Sequence, residues 1–123
     1  MSDYRRLAVW QRAFSLAAKT YRYSRAFPAS EQFGLTDQMR RAATSIAANI
    51  AEGAGRASDT EFARFLRIGR GSLHELTCEI MLATELDYLS TNARDELLAD
   101  ADAVGSALVG LLRAITTKGR IRK

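Results

Sequence analysis

His74, Glu75, Cys78 and Glu79 are the residues of this sequence whose types could together hold a metal ion. Side chains four positions apart share a helix face, so His74 pairs with Cys78 and Glu75 with Glu79. His74 is the only histidine of the chain, whereas a di-iron helical bundle needs a Glu-x-x-His pair on two helices. A structural zinc site needs four ligands, built from repeated cysteine or histidine. We therefore expect no metal and no other cofactor.

Nucleophilic catalysis is the second chemistry to consider. Ser72 and Cys78 lie near His74 in the sequence, but neither follows the glycine-rich turn between strand and helix that exposes a nucleophile. Segment 53–56 contains glycines, yet no strand precedes it, as a dinucleotide-binding motif requires. We therefore expect a non-enzymatic protein without catalytic residues.

Positive charge is unevenly distributed along the chain, whose 123 residues carry a formal net charge of +4. Residues 1–29 hold six basic residues and one acidic residue, a net charge of +5. Residues 58–92 hold three basic and six acidic residues, a net charge of −3. Such an asymmetry can attract polyanions, and it can also pair one subunit with another.

Basic residues of the first segment fall on one side of a predicted helix. At about 100° per residue, three of them share a narrow arc and a fourth lies beside it. These four are Arg5, Arg12, Lys19 and Arg22. We expect them to contact phosphates, with Tyr4 and Tyr23 placed to stack on bases, and an ordinary solvated face is the alternative. The predicted adjunct is a basic tail, made of Lys118, Arg120, Arg122 and Lys123.

Four helices position these residues. Apolar residues recur in steps of three and four over about residues 7–25, 35–52, 59–86 and 93–117, which is the spacing of one helix face. Pro28 ends the first helix, and Ser58 with Glu61 forms a capping box at the start of the third. Gly119 is predicted to end the fourth helix, and the basic tail occupies residues 118–123.

Two helix faces carry specific expectations. The apolar face of the first helix is predicted to consist of Leu7, Trp10, Phe14, Ala17 and Tyr21. In the second helix, the sites Ala43, Ala47 and Ala51 form a strip of small side chains. That strip would pack inside a monomeric bundle, or it could face another subunit of an oligomer.

Arg40 and Arg41 are adjacent in the second helix, so their side chains diverge by about 100°. Partly buried arginines usually anchor ion pairs. We therefore expect one of the two to face a neighbouring helix and to pair with an acid such as Glu52 or Glu75. The predicted structural ion-pair residues are Arg40, Arg41 and Glu52.

These elements predict an all-α protein, an antiparallel up-down-up-down four-helix bundle that forms one domain over residues 1–123. Cys78 is the only cysteine, so no internal disulfide can form. The N-terminus lacks the apolar core of a signal peptide, and no run approaches the roughly 18 apolar residues of a membrane span. We expect a cytoplasmic protein that has no membrane partner.

Several stretches of the chain, spread over about residues 7–89, are similar to those of a known family. They are Leu7-Ala8-Val9-Trp10-Gln11, Phe33-Gly34-Leu35-Thr36, Arg40-Arg41-Ala42-Ala43, Ser45-Ile46, Asn49-Ile50-Ala51-Glu52-Gly53, Phe62, Arg64-Phe65-Leu66 and Gly71-Ser72-Leu73-His74-Glu75-Leu76. The chain resembles the four-helix-bundle proteins encoded in intervening sequences of bacterial 23S ribosomal RNA genes. That family also includes the accessory variability protein of diversity-generating retroelements.

The resemblance implies a homo-oligomer, commonly a pentameric ring, and no catalysis. It also implies association with RNA or DNA and, in the retroelement branch, with a reverse transcriptase. Our hypothesis is therefore a non-enzymatic oligomeric bundle that binds nucleic acid through repeated basic surfaces. The alternative is an oligomeric protein-interaction scaffold with no specific nucleic-acid role.

Overall fold

The computed structural model describes the backbone of residues 3–121 and the side chains of residues 3–117. This part of the chain contains four long helices and no strand. The helices are α1 (Ala8–Ser24), α2 (Leu35–Ala54), α3 (Asp59–Glu85) and α4 (Thr91–Ile121). Short 3₁₀ turns at Tyr4–Arg6 and Ala29–Glu31 precede α1 and α2. The predicted all-α fold is confirmed.

The helices pack as a bundle in which each one contacts its neighbours in sequence. Helix α1 lies against α2 and α4, and α3 lies against the same two helices. Short connections between long helices require the up-down-up-down order. The centre is filled by fully buried aliphatic side chains, including Leu16, Met39, Ile46, Ile50, Leu66, Leu76, Ile80, Leu97, Val104 and Leu108.

The predicted helix bounds agree with the structure to within about two residues, except at the end of α4. That helix continues through Gly119 to Ile121, so the prediction of a tail beginning at residue 118 was wrong. A glycine ends a helix when it takes the left-handed conformation. No glycine of the described residues has a positive φ, which explains why Gly119 does not interrupt α4.

The predicted apolar face of α1 coincides only in part with the buried one, because Leu7, Trp10 and Ala17 pack against the edge of the core. The most buried residues of α1 are Val9, Ala13, Leu16, Thr20 and Ser24. Phe14 and Tyr21 are instead 56% and 43% exposed. The Thr20 hydroxyl donates to the Leu16 carbonyl, at 2.8 Å, which satisfies this polar group inside the bundle. Polar residues that form hydrogen bonds within their own helix can therefore lie on the core face, which makes that face hard to recognise from the sequence.

Small residues let α2 and α3 approach closely. A Cβ on Gly53 would lie 2.8 Å from Phe62 Cδ1 and 2.9 Å from Phe65 Cβ. Ala43 and Ala47 are buried inside the bundle. These two sites of the small-residue strip therefore pack within the chain, as the first of the two alternatives expects.

Candidate nucleic-acid interface

Helix α1 and its two ends carry arginines whose charges are not compensated within the described residues. Arg12 and Arg22 lie on the exposed side of α1, with Arg6 just before the helix and Arg25 at its C-terminal end. Among residues 3–117, no side-chain hydrogen bond or ion pair engages any of these four guanidinium groups. The positive charge of these four arginines is therefore available to an external anion.

Only some arginines of the other helices pair with a nearby carboxylate, since Arg67, Arg70 and Arg113 have no described hydrogen bond or ion pair. Arg41 Nε lies 3.0 Å from Asp37 Oδ2. Arg64 Nε lies 3.1 Å from Glu61 Oε2, and Arg94 Nη2 lies 2.9 Å from Asp95 Oδ1. Uncompensated positive charge therefore lies on α1 and its flanks and also on exposed positions of α3 and α4.

Lys19 was predicted to contact phosphates, but the structure gives it another role. Its Nζ lies 2.7 Å from Asp100 Oδ2 and 3.0 Å from Glu96 Oε2, both on α4. The hydrogen bond that Lys19 donates to Asp100, followed by the one it donates to Glu96, raises the pKa of Lys19 above its ordinary value. The Tyr23 hydroxyl donates to the same Glu96. Lys19 and Tyr23 thus join α1 to α4, so the predicted roles in phosphate contact and base stacking gain no support.

Arg5 lies in the 3₁₀ turn before α1 and does not continue the helical arc of Arg12 and Arg22. Its Nε lies 2.9 Å from Asp3 Oδ1. Hydrogen bonds from Arg5 hold the pKa of the Asp3 carboxyl below its ordinary value. The ring of Tyr4 packs edge-on against Trp10, with the ring centroids 5.2 Å apart. This turn therefore presents a partly compensated cation and an aromatic ring that is already in contact with α1.

The remaining residues of the predicted interface lie at the C-terminus. Lys118 and Arg120 are in the last turn of α4, beyond the side chains that the structure describes. Arg122 and Lys123 lie outside the described residues altogether. Their predicted role as an adjunct therefore stays a prediction.

One arginine of α2 was predicted to pair with an acid such as Glu52 or Glu75, and this prediction was wrong about the partner. Arg40 does face α1, but its Nε donates to the Ser24 hydroxyl, at 2.8 Å, and its guanidinium lies 4.8 Å from the centroid of the Tyr21 ring. Arg41 pairs with Asp37 on α2. Glu52 pairs with Arg56, which lies two residues beyond the end of α2. A neutral hydroxyl and an aromatic face satisfy Arg40 at lower desolvation cost than a buried carboxylate.

A second basic surface lies between α3 and α4, where sequence reasoning did not place one. A groove of about 430 Å³ is lined by Arg70 and His74 of α3 and by Asp102 and Arg113 of α4, among others. Arg70 and His74 are four residues apart, so their shared face could have been recognised in the sequence. Their approach to Arg113 depends on how the two helices pack, which no local pattern reveals.

The residues first considered for metal binding point in different directions. His74 is exposed beside the α3–α4 groove, Cys78 is exposed, and Glu79 is buried. In the part of the chain that the structure describes, no three His, Cys, Asp or Glu residues lie close enough to hold a metal ion. None of the described helices is long and apolar enough to cross a membrane.

Comparison with known proteins identifies the family. Residues 5–110 match the model of the 23S rRNA-intervening sequence proteins. A solved structure of a protein of unknown function, from the S23 ribosomal protein family of Bacteroides thetaiotaomicron, has the same fold. That match has a TM-score of 0.79 and 21% sequence identity, and covers 85% of this chain and 95% of the other. No match was found among curated proteins, and the relation to the retroelement accessory protein stays a prediction. The chain belongs to the family of 23S rRNA-intervening sequence proteins.

Proposed function

We propose that this protein is a non-enzymatic, self-associating helical bundle that binds nucleic acid through the arginines of α1. The observation that carries this proposal is the set of exposed guanidinium groups without a carboxylate partner among residues 3–117, above all Arg12 and Arg22. Guanidinium groups recognise phosphates in a planar, bidentate geometry. The net charge of +5 over residues 1–29 supplies a long-range attraction to polyanions.

One copy of the chain offers few phosphate contacts, so self-association is part of the proposal. Arg12 and Arg22 are ten residues apart on one helix, which separates them by ~15 Å at ~1.5 Å per residue. Repetition of this pair around a ring would bind one nucleic-acid strand at several points, and such multivalency raises the overall affinity. We propose a homo-oligomer, of which a pentamer is the form that the family resemblance implies.

The nucleic acid is RNA or DNA, recognised with little sequence specificity. Phosphate contacts position a nucleic acid but do not read its bases, and Tyr4 and Tyr23 are engaged with Trp10 and Glu96. The C-terminal basic residues extend the proposed surface on sequence grounds alone. A reverse transcriptase is a further proposed partner, on the resemblance to the retroelement branch.

A pair of double variants with the same change in charge tests the proposed surface. Replacement of both Arg12 and Arg22 by glutamine should weaken RNA binding at least tenfold, because uncompensated phosphate contacts are lost. The control replaces Arg41 and Arg64 by glutamine, since these arginines already pair with Asp37 and Glu61. Affinity measured by fluorescence anisotropy should change little in the control. Equal losses in the two double variants would show that only net charge matters and would refute a specific α1 surface.

A protein-interaction scaffold is the second candidate, and exposed aromatic residues favour it. Phe14 is 56% exposed on α1 and stacks on the partly buried Trp10, with the ring centroids 4.8 Å apart. An exposed aromatic ring at the surface is typical of a protein contact. Recovery of one dominant protein partner that resists nuclease treatment, together with no affinity for RNA, would favour this candidate over the first.

A further inference from the structure

The groove of about 430 Å³ between α3 and α4 holds charged side chains that no other described residue engages. Arg70 and His74 line it from α3, and Asp102 and Arg113 line it from α4. Among residues 3–117, none of these four side chains makes a hydrogen bond or an ion pair. The volume lies within the range of about 300–1,000 Å³ that is typical of small-molecule sites. The groove therefore offers a small ligand both space and polar groups that are free to bind it.

Two glycines of α4 shape this groove. A Cβ built on Gly105 would lie 3.3 Å from Leu73 Cδ2, so a glycine here lets α3 and α4 approach closely. A Cβ built on Gly110 would meet nothing within 4 Å among the described residues, although Gly110 also lines the groove. Glycine inside a helix lowers stability by about 1 kcal/mol relative to alanine. Packing within the described chain does not require a glycine at position 110, and its effect is to leave this part of the groove empty.

The cationic end of the groove is formed by one arginine from each helix. Leu73 of α3 lies against Gly105 of α4, and the two helices run antiparallel, so residues before Leu73 lie beside residues after Gly105. Arg70 and Arg113 therefore lie toward the same end of the groove. Guanidinium groups bind phosphate oxygens through paired N–H donors. Two of them, on opposite walls of the groove, suit a single phosphate group.

The other end of the groove favours hydroxyl groups over a second phosphate. By the same antiparallel order, His74 lies on the side of Asp102. Asp102 precedes Arg113 by eleven residues on α4, which is ~16 Å at ~1.5 Å per residue. The tilt of helical side chains toward the N-terminus shortens the span that the long Arg113 side chain leaves open. An ionised carboxylate only accepts hydrogen bonds, and it repels the next phosphate of a nucleic-acid strand. The groove therefore disfavours a continuous polyanion.

We propose that this groove binds a small phosphomonoester whose body carries hydroxyl groups, such as a nucleoside monophosphate or a sugar phosphate. Arg70 and Arg113 hold the phosphate, and the Ser106 hydroxyl donates to it from the same wall of the groove. Asp102 accepts a hydrogen bond from a ligand hydroxyl, and Val109 packs beneath the body of the ligand. The site is separate from the α1 surface of the proposed function, because α1 does not contact α3. Neither proposal depends on the other.

Calorimetric titration of the full chain with AMP, ribose-5-phosphate and inorganic phosphate tests the cationic end. Arg70→Gln removes one guanidinium group and should weaken the binding of AMP at least about tenfold. Arg67→Gln is the matched control, since Arg67 is also an exposed α3 arginine without a described hydrogen bond or ion pair but does not line the groove. AMP affinity should change little in this control. Equal losses in the two variants would show that only net charge attracts the phosphate and would overturn the proposal.

A matched pair of glycine variants tests the space in the groove. Gly110→Leu places a side chain where the groove is now empty and should abolish AMP binding. The control is Gly71→Leu, since Gly71 is an exposed helical glycine of α3 that also has nothing within 4 Å of a built Cβ but lies outside the groove. Leucine is a better helix former than glycine, so both variants should fold, which far-UV circular dichroism checks. Full AMP affinity in Gly110→Leu would overturn the proposal.

Asp102→Asn distinguishes a hydroxyl-bearing ligand from a bare anion. Loss of this carboxylate should strengthen the binding of inorganic phosphate and reduce the preference for AMP and ribose-5-phosphate over it. A wild type that binds all three probes equally, or none of them at about 10 mM, would overturn the proposal. The α1 surface is tested separately by RNA anisotropy. If Arg70→Gln weakened RNA binding as strongly as the Arg12 and Arg22 double variant does, the groove would belong to the nucleic-acid surface, and the proposal would fail.

Discussion

Glu79 is the residue whose environment is most unusual for its type. Its side chain is 8% exposed, and its Oε1 atom is buried without a hydrogen-bond partner among the described residues. Burial, with a smaller contribution from the charge of Glu75, raises the pKa of Glu79 from 4.5 to about 7. A buried carboxyl without a partner favours its neutral form. The bundle is therefore more stable when Glu79 is protonated.

Stability should fall as the pH rises from about 4.5 to about 7, because the unfolded chain loses this proton earlier than the folded one. Glu79→Gln should remove that dependence and stabilise the protein by about 3 kcal/mol at pH values above 7, at about 1.4 kcal/mol per pKa unit. Urea denaturation at pH 5 and pH 8, at one protein concentration, measures the difference. The exposed Glu85→Gln is the control. A destabilisation by Glu79→Gln that is larger at pH 8 than at pH 5 would show instead that the carboxylate has a favourable partner.

Lys19 should act on stability and leave nucleic-acid binding unchanged. Lys19→Met removes the contacts to Glu96 and Asp100 and leaves two carboxylates of α4 facing each other. We expect a small decrease in Tm and an RNA affinity that follows only the loss of one charge. A loss of affinity as large as that of Arg12→Gln, measured by anisotropy, would return Lys19 to the binding surface.

At the scale of the element, α1 shows what sequence reasoning could and could not predict. The spacing in steps of three and four predicted the helix to within one residue at each end, because both faces of α1 keep that spacing. It did not identify the core face. Val9, Ala13 and Leu16 are buried, whereas the larger Phe14 and Tyr21 are exposed. Hydrophobicity alone selects the larger side chains, and only the packing of α2 and α4 decides which face is enclosed.

Two substitutions on α1 test which of its faces belongs to the core. Leu16→Ala should destabilise the bundle by ~2–5 kcal/mol, because Leu16 is completely buried and its removal leaves a cavity. Phe14→Ala should lower the stability of the single chain far less, since its ring is 56% exposed. Denaturant unfolding at a concentration where the protein is monomeric measures both. A larger loss for Phe14→Ala would mean that the predicted aromatic face is the core face after all.

The candidate interface, too, could be predicted from the sequence only in part. The excess of basic residues before residue 30 was readable from the sequence, as was the acidic character of α3. The pairing of Lys19 with α4 was not, because Asp100 lies 81 positions away along the chain. The groove between Arg70 and Arg113 was missed for the same reason. Local spacing assigns a residue to a helix face, whereas tertiary packing decides whether its charge is compensated.

At the scale of the whole molecule, the bundle separates surfaces of different charge. The arginines of α1 form a basic arc, whereas residues 58–92, which include α3, carry a net charge of −3. Self-association would repeat the basic arc on every copy. Repetition of that arc is what would allow a chain of modest net charge, +4, to hold a polyanion.

Binding of fluorescent RNA and DNA across a salt series, on material whose mass is measured in the same buffer, is the direct test of nucleic-acid binding by the α1 arginines. Each phosphate that the protein neutralises releases a counterion, so the logarithm of the affinity should fall linearly with the logarithm of the salt concentration. We predict a steep fall on a defined oligomer, because several copies contribute arginines to one strand. Absence of binding even at low salt would contradict the account and assign the basic arc to protein contacts or solubility.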